Sequence, residues 1–488
     1  MEAELTDIPW AVILILLPLV GGMLCFLWPR MAKMFGLITA SAVALSVAGL
    51  AWQLLKNGVY RHSVGGWGAP LGIDLYADGL SLLMLTATAL VGLGVSIYST
   101  GYFKPEKALH FWPIWLLLLA ALNALFLSAD VFNLYVTLEM MGLAAVSLTA
   151  LTGSREAFSG AMRYLLATLL GSLAYLLGVA LLYHGFGTVD ITLLGQRVES
   201  TPYLWAALGL IGAGLLLKTA LFPLHFWLPP AHASAPAPVS GVLSALVVKA
   251  SFYILLRLWL EIFDPVVDGV GIETLFGLLG AAAVLYGSVQ ALRQTRLKLL
   301  IAYSTVAQMG YLFLAFPLAA AAGMTAWSAA AYLAISHALA KTAMFMTAGN
   351  LLHFCGHDRI TGLDRVVQRL PLTAGAFALA GVSIMGLPPS GGFIGKWLLL
   401  EAAIEQGRWD LAAVMILGGL LAAGYVFKVL GHAFTQAEAT HKATAVPASM
   451  EWAALLLAIG AILLGFLAVP LLSLVGIGDP FGIAEVKP

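Results

Sequence analysis

Charge and cysteine are both scarce in this chain, and each shortage excludes something. Charged residues fill 10% of the 488 positions, against roughly 25% in a soluble domain. Most of the chain must therefore lie in a medium that does not demand charge. With 61% hydrophobic residues and a mean hydropathy of +0.96, that medium is lipid. The two cysteines, Cys25 and Cys355, are too few for a disulfide framework, a cysteine-ligated iron–sulfur cluster or a thiolate zinc site. Each is expected to be a buried, inert thiol. A formal net charge of zero gives no reason to expect nucleic acid or an acidic partner. The opening MEAELTDIPW is acidic, and no small-residue cleavage site follows the first apolar run. That run is expected to be kept as a span rather than removed as a signal peptide. No Gly-rich nucleotide loop or long polar module occurs; the connections 56–75, 187–201 and 434–449 read as ordinary loops.

What the chain has in abundance is long apolar runs. About 20 helical residues at ~1.5 Å each cross a ~30 Å hydrocarbon layer. Runs of this kind fall near 8–28, 35–55, 76–99, 110–128, 130–152, 160–186 and 202–226. Seven more fall near 239–262, 271–292, 296–318, 325–352, 370–399, 409–433 and 450–475. The expected fold is an all-α polytopic membrane protein of about fourteen transmembrane helices. Lysines and arginines cluster in the loops after odd-numbered spans, among them Arg30, Lys104, Arg155, Arg296, Arg365 and Lys442. Loops after even-numbered spans carry few, and hold acids such as Asp264, Asp268 and Glu273. The positive-inside rule then places the odd loops in the cytoplasm and both termini on the outer side of the cell's inner membrane.

Ionisable residues inside spans are costly and mark ion pathways. Glu139 falls nine residues into the fifth span, Lys218 deep in the seventh and Lys249 at the centre of the eighth. His337 and Lys341 share one face of the eleventh at i and i+4, and Lys396 lies in the twelfth. Mid-span lysines cannot easily snorkel to the surface, so the set reads as one polar axis. Two spans should also be broken, the seventh by Pro223, Pro229 and Pro230, the twelfth by Pro388 and Pro389 beside Gly391 and Gly392. Unwound backbone at membrane depth survives where it lines a hydrated cavity or packs within protein. The breaks lie five spans apart, which suggests two five-helix repeats, helices 4–8 (110–265) and 9–13 (266–435). A three-helix segment (1–109) precedes them and helix 14 (436–488) follows. His225 and His232 flank the first break; with no carboxylate or cysteine beside them they suit a proton relay better than a metal. No metal or cofactor is expected.

The stretches FNLYVTLE, KTALFPLHFWLPPAHASAPAPVSGVLSALVVK, LKLLIAYSTVAQMGY, SHALAKTAMF and GLPPSGGFIGKW together resemble the antiporter-like proton channel family. This family includes the D subunit of Mrp-type multisubunit Na+/H+ antiporters and the antiporter-like subunits of respiratory complex I and membrane-bound hydrogenases. The resemblance spans roughly residues 70–435 and implies inverted repeats, each with a broken helix, joined by a hydrated Lys/His/Glu line. Glu139, Lys218, Lys249, His337 and Lys396 stand where the family has its fifth-helix glutamate, seventh- and eighth-helix lysines, eleventh-helix histidine and twelfth-helix lysine or glutamate. Lys341 is expected to share in proton translocation with these residues, and His225, His232, Lys298 and Gln308 to be accessory relay groups. Ser251, Arg296 and Gln308 depart from the glycine, aspartate and histidine common in the family, so Gln308 would orient water rather than titrate. FNLYVTLE and the short C-terminus lean towards the Mrp D type. The implied function is proton or cation translocation beside other membrane subunits, with Glu139 as an electrostatic switch, lysines as carriers and His337 as a shuttle. Na+ is a candidate second ion, with Thr137 and Ser147 as the hydroxyls nearest to hand. The alternatives are the same pump within a redox enzyme, and a self-contained solute transporter; the protonatable axis disfavours the latter.

Overall fold

The computed structural model describes residues 8–267, 271–363, 365–436, 444–479 and 481. Asp268, Lys442 and both chain termini, which entered the orientation argument, lie outside these. The chain is a multi-span helical membrane protein. Helices α1 (Trp10–Leu27), α2 (Ala32–Asn57), α3 (Gly79–Tyr102), α4 (Pro105–Phe126), α5 (Val131–Thr149) and α6 (Arg155–Phe186) come first. A short α7 (Ile191–Arg197) precedes α8 (Pro202–Thr219) and the seven-residue α9 (Leu228–Ser234). The helical run α10 (Ala237–Phe263) follows, then α11 (Ile272–Arg293), α12 (Leu297–Phe313) and α13 (Ala315–Cys355). The chain continues through α14 (Val366–Arg369), α15 (Pro371–Met385), α16 (Gly391–Glu405), α17 (Trp409–Phe434), α18 (Ala448–Leu463) and α19 (Ala468–Val475).

Eleven stretches among the described residues are long and apolar enough to cross a membrane, twelve if α18 and α19, bent by 82°, form one span. The expected fourteen are not reached, for physical reasons. The expected twelfth span is split into α15 and α16, each of 15 residues, so neither half is long enough alone. The expected eleventh lies within the 41-residue α13, whose middle is diluted by Ser336, His337, Lys341 and Thr342. Two of the presumed loops also hold structure. The connection 56–75 contributes to an antiparallel hairpin of β1 (Tyr60–Ser63) and β2 (Asp74–Ala77), and 187–201 contains α7.

Side chains that accept backbone N–H groups start many of these helices. Asp78, Asp130, Ser154, Asp190, Thr201 and Ser390 each cap the first turn of the helix that follows, supplying partners to donors that have none within the helix. Helix α13 is the hub, packing against α3, α10, α12, α15, α16 and α18. The apolar window of α10 is wholly enclosed by protein, so nothing on it faces lipid. Small residues permit the closest crossings: a Cβ on Gly171 of α6 would meet the Gly214 carbonyl of α8 at 2.8 Å.

One hydrogen-bond motif occurs twice. Val131 N–H donates to the Val189 carbonyl at 2.8 Å and Ile191 N–H to the Ala129 carbonyl at 2.9 Å. Leu297 N–H donates to the Asp358 carbonyl at 2.7 Å and Ile360 N–H to the Thr295 carbonyl at 2.9 Å. Positions 129 and 131 recur 166 residues later as 295 and 297, and 189 and 191 recur 169 later as 358 and 360. Pro223 in the first break likewise maps onto Pro389 in the second at the same 166-residue offset.

Candidate functional site

The two helix breaks come first, because they create the acceptors that the site uses. Between Thr219 and Leu228 the chain leaves helical geometry around Pro223, and between Met385 and Gly391 around Pro388 and Pro389. Pro229 behaves differently from expectation. It sits in the first turn of α9, where its missing N–H would have no partner anyway, so it starts a helix rather than breaking one. A helix that stops leaves its last carbonyls unpaired inside the protein. Those carbonyls, and the negative end of the helix dipole, suit a buried ammonium.

The lysines use them. Lys396 Nζ donates to the Ile384 carbonyl at 2.7 Å, at the end of α15, and lies 4.3 Å from the centre of the Tyr311 ring. Gln308 Nε2 donates to the same carbonyl at 3.4 Å. Lys298 donates to the carbonyl of Ala235, just past α9. Lys249 finds its acceptor in a different irregularity. Residues Leu243–Val247 of α10 form a π-turn, and Lys249 Nζ donates to the Ser244 carbonyl there at 2.7 Å. Such turns displace carbonyls from the α-helical ladder and recur at functional sites. Lys341 donates to the Ile301 carbonyl at 3.2 Å and to Ser304 Oγ.

Glu139 is held differently. Its Oε1 accepts from Lys218 Nζ at 3.3 Å and from Ser172 Oγ. The Lys218 side chain is 3% exposed and that of Glu139 21%, so the carboxylate forms the more open side of the pair. None of the lysines snorkels: Lys218, Lys249, Lys341 and Lys396 are all buried. His337 is buried with neither ring nitrogen hydrogen-bonded among the described residues. It stands within electrostatic reach of Lys249, Lys341 and Lys396. His232, stacked on Phe345 at 4.7 Å, stands within reach of Lys341 and Lys298 in the same way.

The expected residues therefore fall into two groups. Lys249, His337, Lys341 and Lys396 converge, and His232 extends this group to Lys298. The Glu139–Lys218 pair forms a second group; no direct hydrogen bond joins it to Lys249 among the described residues. His225 joins neither. It sits in the first break, against Phe222, Tyr286 and Tyr303, and is not paired with His232. Thr137 and Ser147 do not converge on an ion: each hydroxyl donates back to a carbonyl of its own helix. Cys25 and Cys355 are buried and unpaired with each other, as expected. No group of three or more His, Cys, Asp or Glu side chains among the described residues is arranged for a metal.

Four polar features were not foreseen. Ser172 fixes the Glu139 carboxylate, and the Ser244–Thr305 hydroxyl pair, 2.8 Å apart, lies beside the Lys249 acceptor. Tyr311 lies under Lys396. At the hairpin end, Arg257 grips Asp78 with two hydrogen bonds of 2.6 and 2.8 Å and also donates to Ser81, Tyr253 and Glu261. The one available signal was the periodicity of α10, where Lys249, Tyr253 and Arg257 recur every four residues and so share a face.

Comparison with known proteins adds the family. The family described as "NADH:quinone oxidoreductase/Mrp antiporter, TM" matches residues 128–422. That described as "NADH-Ubiquinone oxidoreductase (complex I), chain 5 N-terminus" matches 66–111. The chain is 34% identical to the N subunit of the NADH-quinone oxidoreductase of Desulforudis audaxviator, over 93% of this chain and 95% of that one. It is 28% identical to the D subunit of the Na(+)/H(+) antiporter of Bacillus subtilis, over 86% of each. A chain of the Mrp complex from Dietzia sp. DQ12-45-1b superposes with a TM-score of 0.88 at 24% identity, covering 96% of this chain and 97% of that one; this likeness speaks to the fold. Matched over more than half its length, the chain belongs to the NADH:quinone oxidoreductase/Mrp antiporter transmembrane family.

Proposed function

We propose that this chain is the proton- or cation-translocating membrane subunit of a multisubunit monovalent cation/proton antiporter of the Mrp type. The observation that carries the reading is the ion pair of buried Lys218 with half-buried Glu139 at 3.3 Å, beside a convergent cluster of buried Lys249, His337 and Lys396. Ionisable groups at such depth are expensive unless they move or bind ions. In this mechanism Glu139 holds Lys218 while both are charged. An event in a neighbouring subunit draws Lys218 from Glu139 towards Lys249, and the approaching like charge eases release of the Lys249 proton. The gap between them is crossed by water and side-chain motion. The proton passes by way of His337, whose free ring nitrogens can accept and donate, to Lys396 at the second break. Lys341, His232 and Lys298 form a branch towards the surface at Arg296.

The domain reading belongs to the same proposal: inverted repeats 110–265 and 266–435, flanked by 1–109 and 436–488. Five helices per repeat is an odd number, so the second repeat begins on the opposite side of the membrane. The recurrence of the 129/131 hydrogen-bond motif at 295/297 supports this reading. The odd-numbered loops then face the cytoplasm of a cell whose inner membrane holds the protein, and partner membrane subunits complete the assembly.

A second reading has its own support. The 34% identity to an NADH-quinone oxidoreductase subunit favours a proton-pumping member of a complex I-type NADH:quinone oxidoreductase or a membrane-bound hydrogenase. Purifying the chain with its native partners decides: iron–sulfur and flavin absorbance identifies the redox assembly, and their absence the antiporter. In either assembly, Glu139→Ala and Lys218→Ala should each abolish ion-coupled transport in proteoliposomes. Transport at the wild-type rate would overturn the switch.

A further inference from the structure

The cavity at the N-terminal end of α6 is lined by none of the axis lysines or histidines, though the proposed Lys298 branch reaches it at Arg296, and it carries a strong sign of charge. It holds about 750 Å³ and is lined by Arg155 and Arg163 of α6, by Arg296, and by the hydroxyl residues Ser154, Ser159 and Ser234, with Glu156 as an acid on its wall. Arg296 already shares its charge with Asp358 at 3.0 Å. Arg155 and Arg163 make no ion pair among the described residues and are exposed. With Ser159 they recur every four positions, so they form one polar stripe along the helix.

An apolar stripe runs immediately beside it. Phe158, Met162 and Leu166, each one turn from the next, are 59%, 54% and 61% exposed, and Leu170, Leu173 and Leu177 continue the line. This is the surface that α6 offers to acyl chains. The helix is also too long for the hydrocarbon layer. Its 32 residues extend about 48 Å, some 18 Å more than the layer's thickness, and the Arg155, Glu156, Ser159 and Arg163 of its first turns suit headgroups rather than hydrocarbon. Arginine beside hydroxyls at headgroup height, continuous with a lipid-facing apolar stripe, is the chemistry of a phosphodiester with two tails. The floor of the cavity, Pro230, Ala233 and Ser234, belongs to α9, one residue before the Ala235 carbonyl that holds Lys298.

We infer that this cavity is a binding site for an anionic phospholipid. The headgroup phosphate lies between Arg155 and Arg163, and the acyl chains run down the Phe158–Leu177 stripe. Its occupant ties α6 to the short helix of the first break, and so steadies the acceptor of Lys298.

The test uses the full chain purified with its partner subunits, stripped of native lipid and returned to nanodiscs. Phosphatidylglycerol should raise the unfolding temperature and be retained through washing, as read by native mass spectrometry. Phosphatidylcholine and inorganic phosphate should do neither. Arg155→Gln with Arg163→Gln should weaken retention of phosphatidylglycerol by roughly thirtyfold, the combined effect usual for two basic residues at an anionic surface. Arg155→Lys with Arg163→Lys, which keeps both charges, should lose far less; should the glutamine pair not assemble, Arg163→Gln alone is read. Equal retention of the zwitterionic lipid, equal protection by inorganic phosphate, or full retention by the glutamine pair would overturn the site. So would a Ser159→Cys variant shielded from thiol reagents by a neighbouring protein of the assembly when phosphatidylglycerol is left out.

Discussion

A buried lysine needs acceptors for its ammonium, and in this chain most of them are backbone carbonyls rather than carboxylates. Ser244 serves Lys249, Ile384 serves Lys396 and Ala235 serves Lys298. Glu139 is the carboxylate that ion-pairs with one of this set among the described residues. Carbonyls hold a lysine whether or not it carries its proton, which suits a carrier; a full ion pair favours the charged form. In the proposed mechanism, that contrast suits Glu139–Lys218 to switching and the other lysines to carrying. Ser172 completes the switch by donating to Glu139. A hydrogen bond to a charged group is worth ~1.5–3 kcal/mol, so Ser172→Ala should lower ion-coupled transport by about tenfold or more. Ser172→Thr, which keeps the hydroxyl, should stay near the wild-type rate. Transport assays on reconstituted complexes read both. The identities of Glu139, Lys218, Lys249, His337 and Lys396 were legible in the sequence because charge within an apolar run has no local excuse. Their partners were not, because Ser172 lies 33 residues and Ile384 12 residues from the groups they meet.

At the scale of the element, irregular helices do the positioning. The break after Thr219, the break at Pro388 and Pro389, and the π-turn at Leu243–Val247 each expose carbonyls at depth. Proline announced the two breaks; nothing in LSALV announces a π-turn, which arises when packing on both sides inserts one extra residue per turn. Helix crossing matters as much. Gly171 and Gly214 bring α6 and α8 together, and a Cβ on Gly171 would also meet the Lys218 side chain at 3.1 Å. A Cβ on Gly214 would collide with the Gly171 carbonyl and approach the Tyr175 backbone nitrogen at 3.2 Å. Gly214→Val should therefore part the helices, cost about 1–3 kcal/mol of stability as overpacking does, and draw Lys218 off Glu139. A lowered unfolding temperature with transport lost out of proportion is the expected result. Val at Gly209, where a Cβ meets nothing within 4 Å, is the control and should change neither.

At the scale of the whole molecule, the hairpin ties the N-terminal helices to the segments that precede α5 and α7. Tyr76 N–H donates to the Leu127 carbonyl at 2.7 Å and Ala129 N–H to the Asp74 carbonyl at 3.2 Å, and the 129–131 segment bonds onward to 189–191. Arg61 of β1 joins the hairpin to the last of these segments with 2.7 Å ion pairs to Asp74 and Asp190. Burial pushes the Asp74 carboxyl up, but hydrogen bonds from Ser63 and Arg61 and the guanidinium charge outweigh it and hold it below the ordinary carboxylate value. A depressed value means that the tie is present above the unfolded-state value and lost as pH falls through the folded one. Protection of the hairpin amides from hydrogen exchange, measured against their intrinsic rates, should thus be high at neutral pH and fall in acid below about pH 4. Arg61→Gln should move that onset to higher pH; an unmoved onset would remove Arg61 from the tie.

The sequence by itself determined the medium, the approximate spans, the two proline breaks and the ionisable residues within the spans from which the proposed axis is built. These follow from composition and from residues that are costly wherever they are placed in lipid, so no partner need be known to read them. The tertiary structure alone decided which charges meet, that Glu139 and Lys218 form one group and His337 with three lysines another. It also decided that His225 stands apart from His232, that the Thr137 and Ser147 hydroxyls bond back to their own helix, and that Arg257 closes on Asp78 across 179 residues. Those outcomes depend on how helices distant in sequence cross and rotate, and on carbonyls freed by irregular turns. Hydrophobic periodicity says which face of a helix is inside, but not which other helix it will find there.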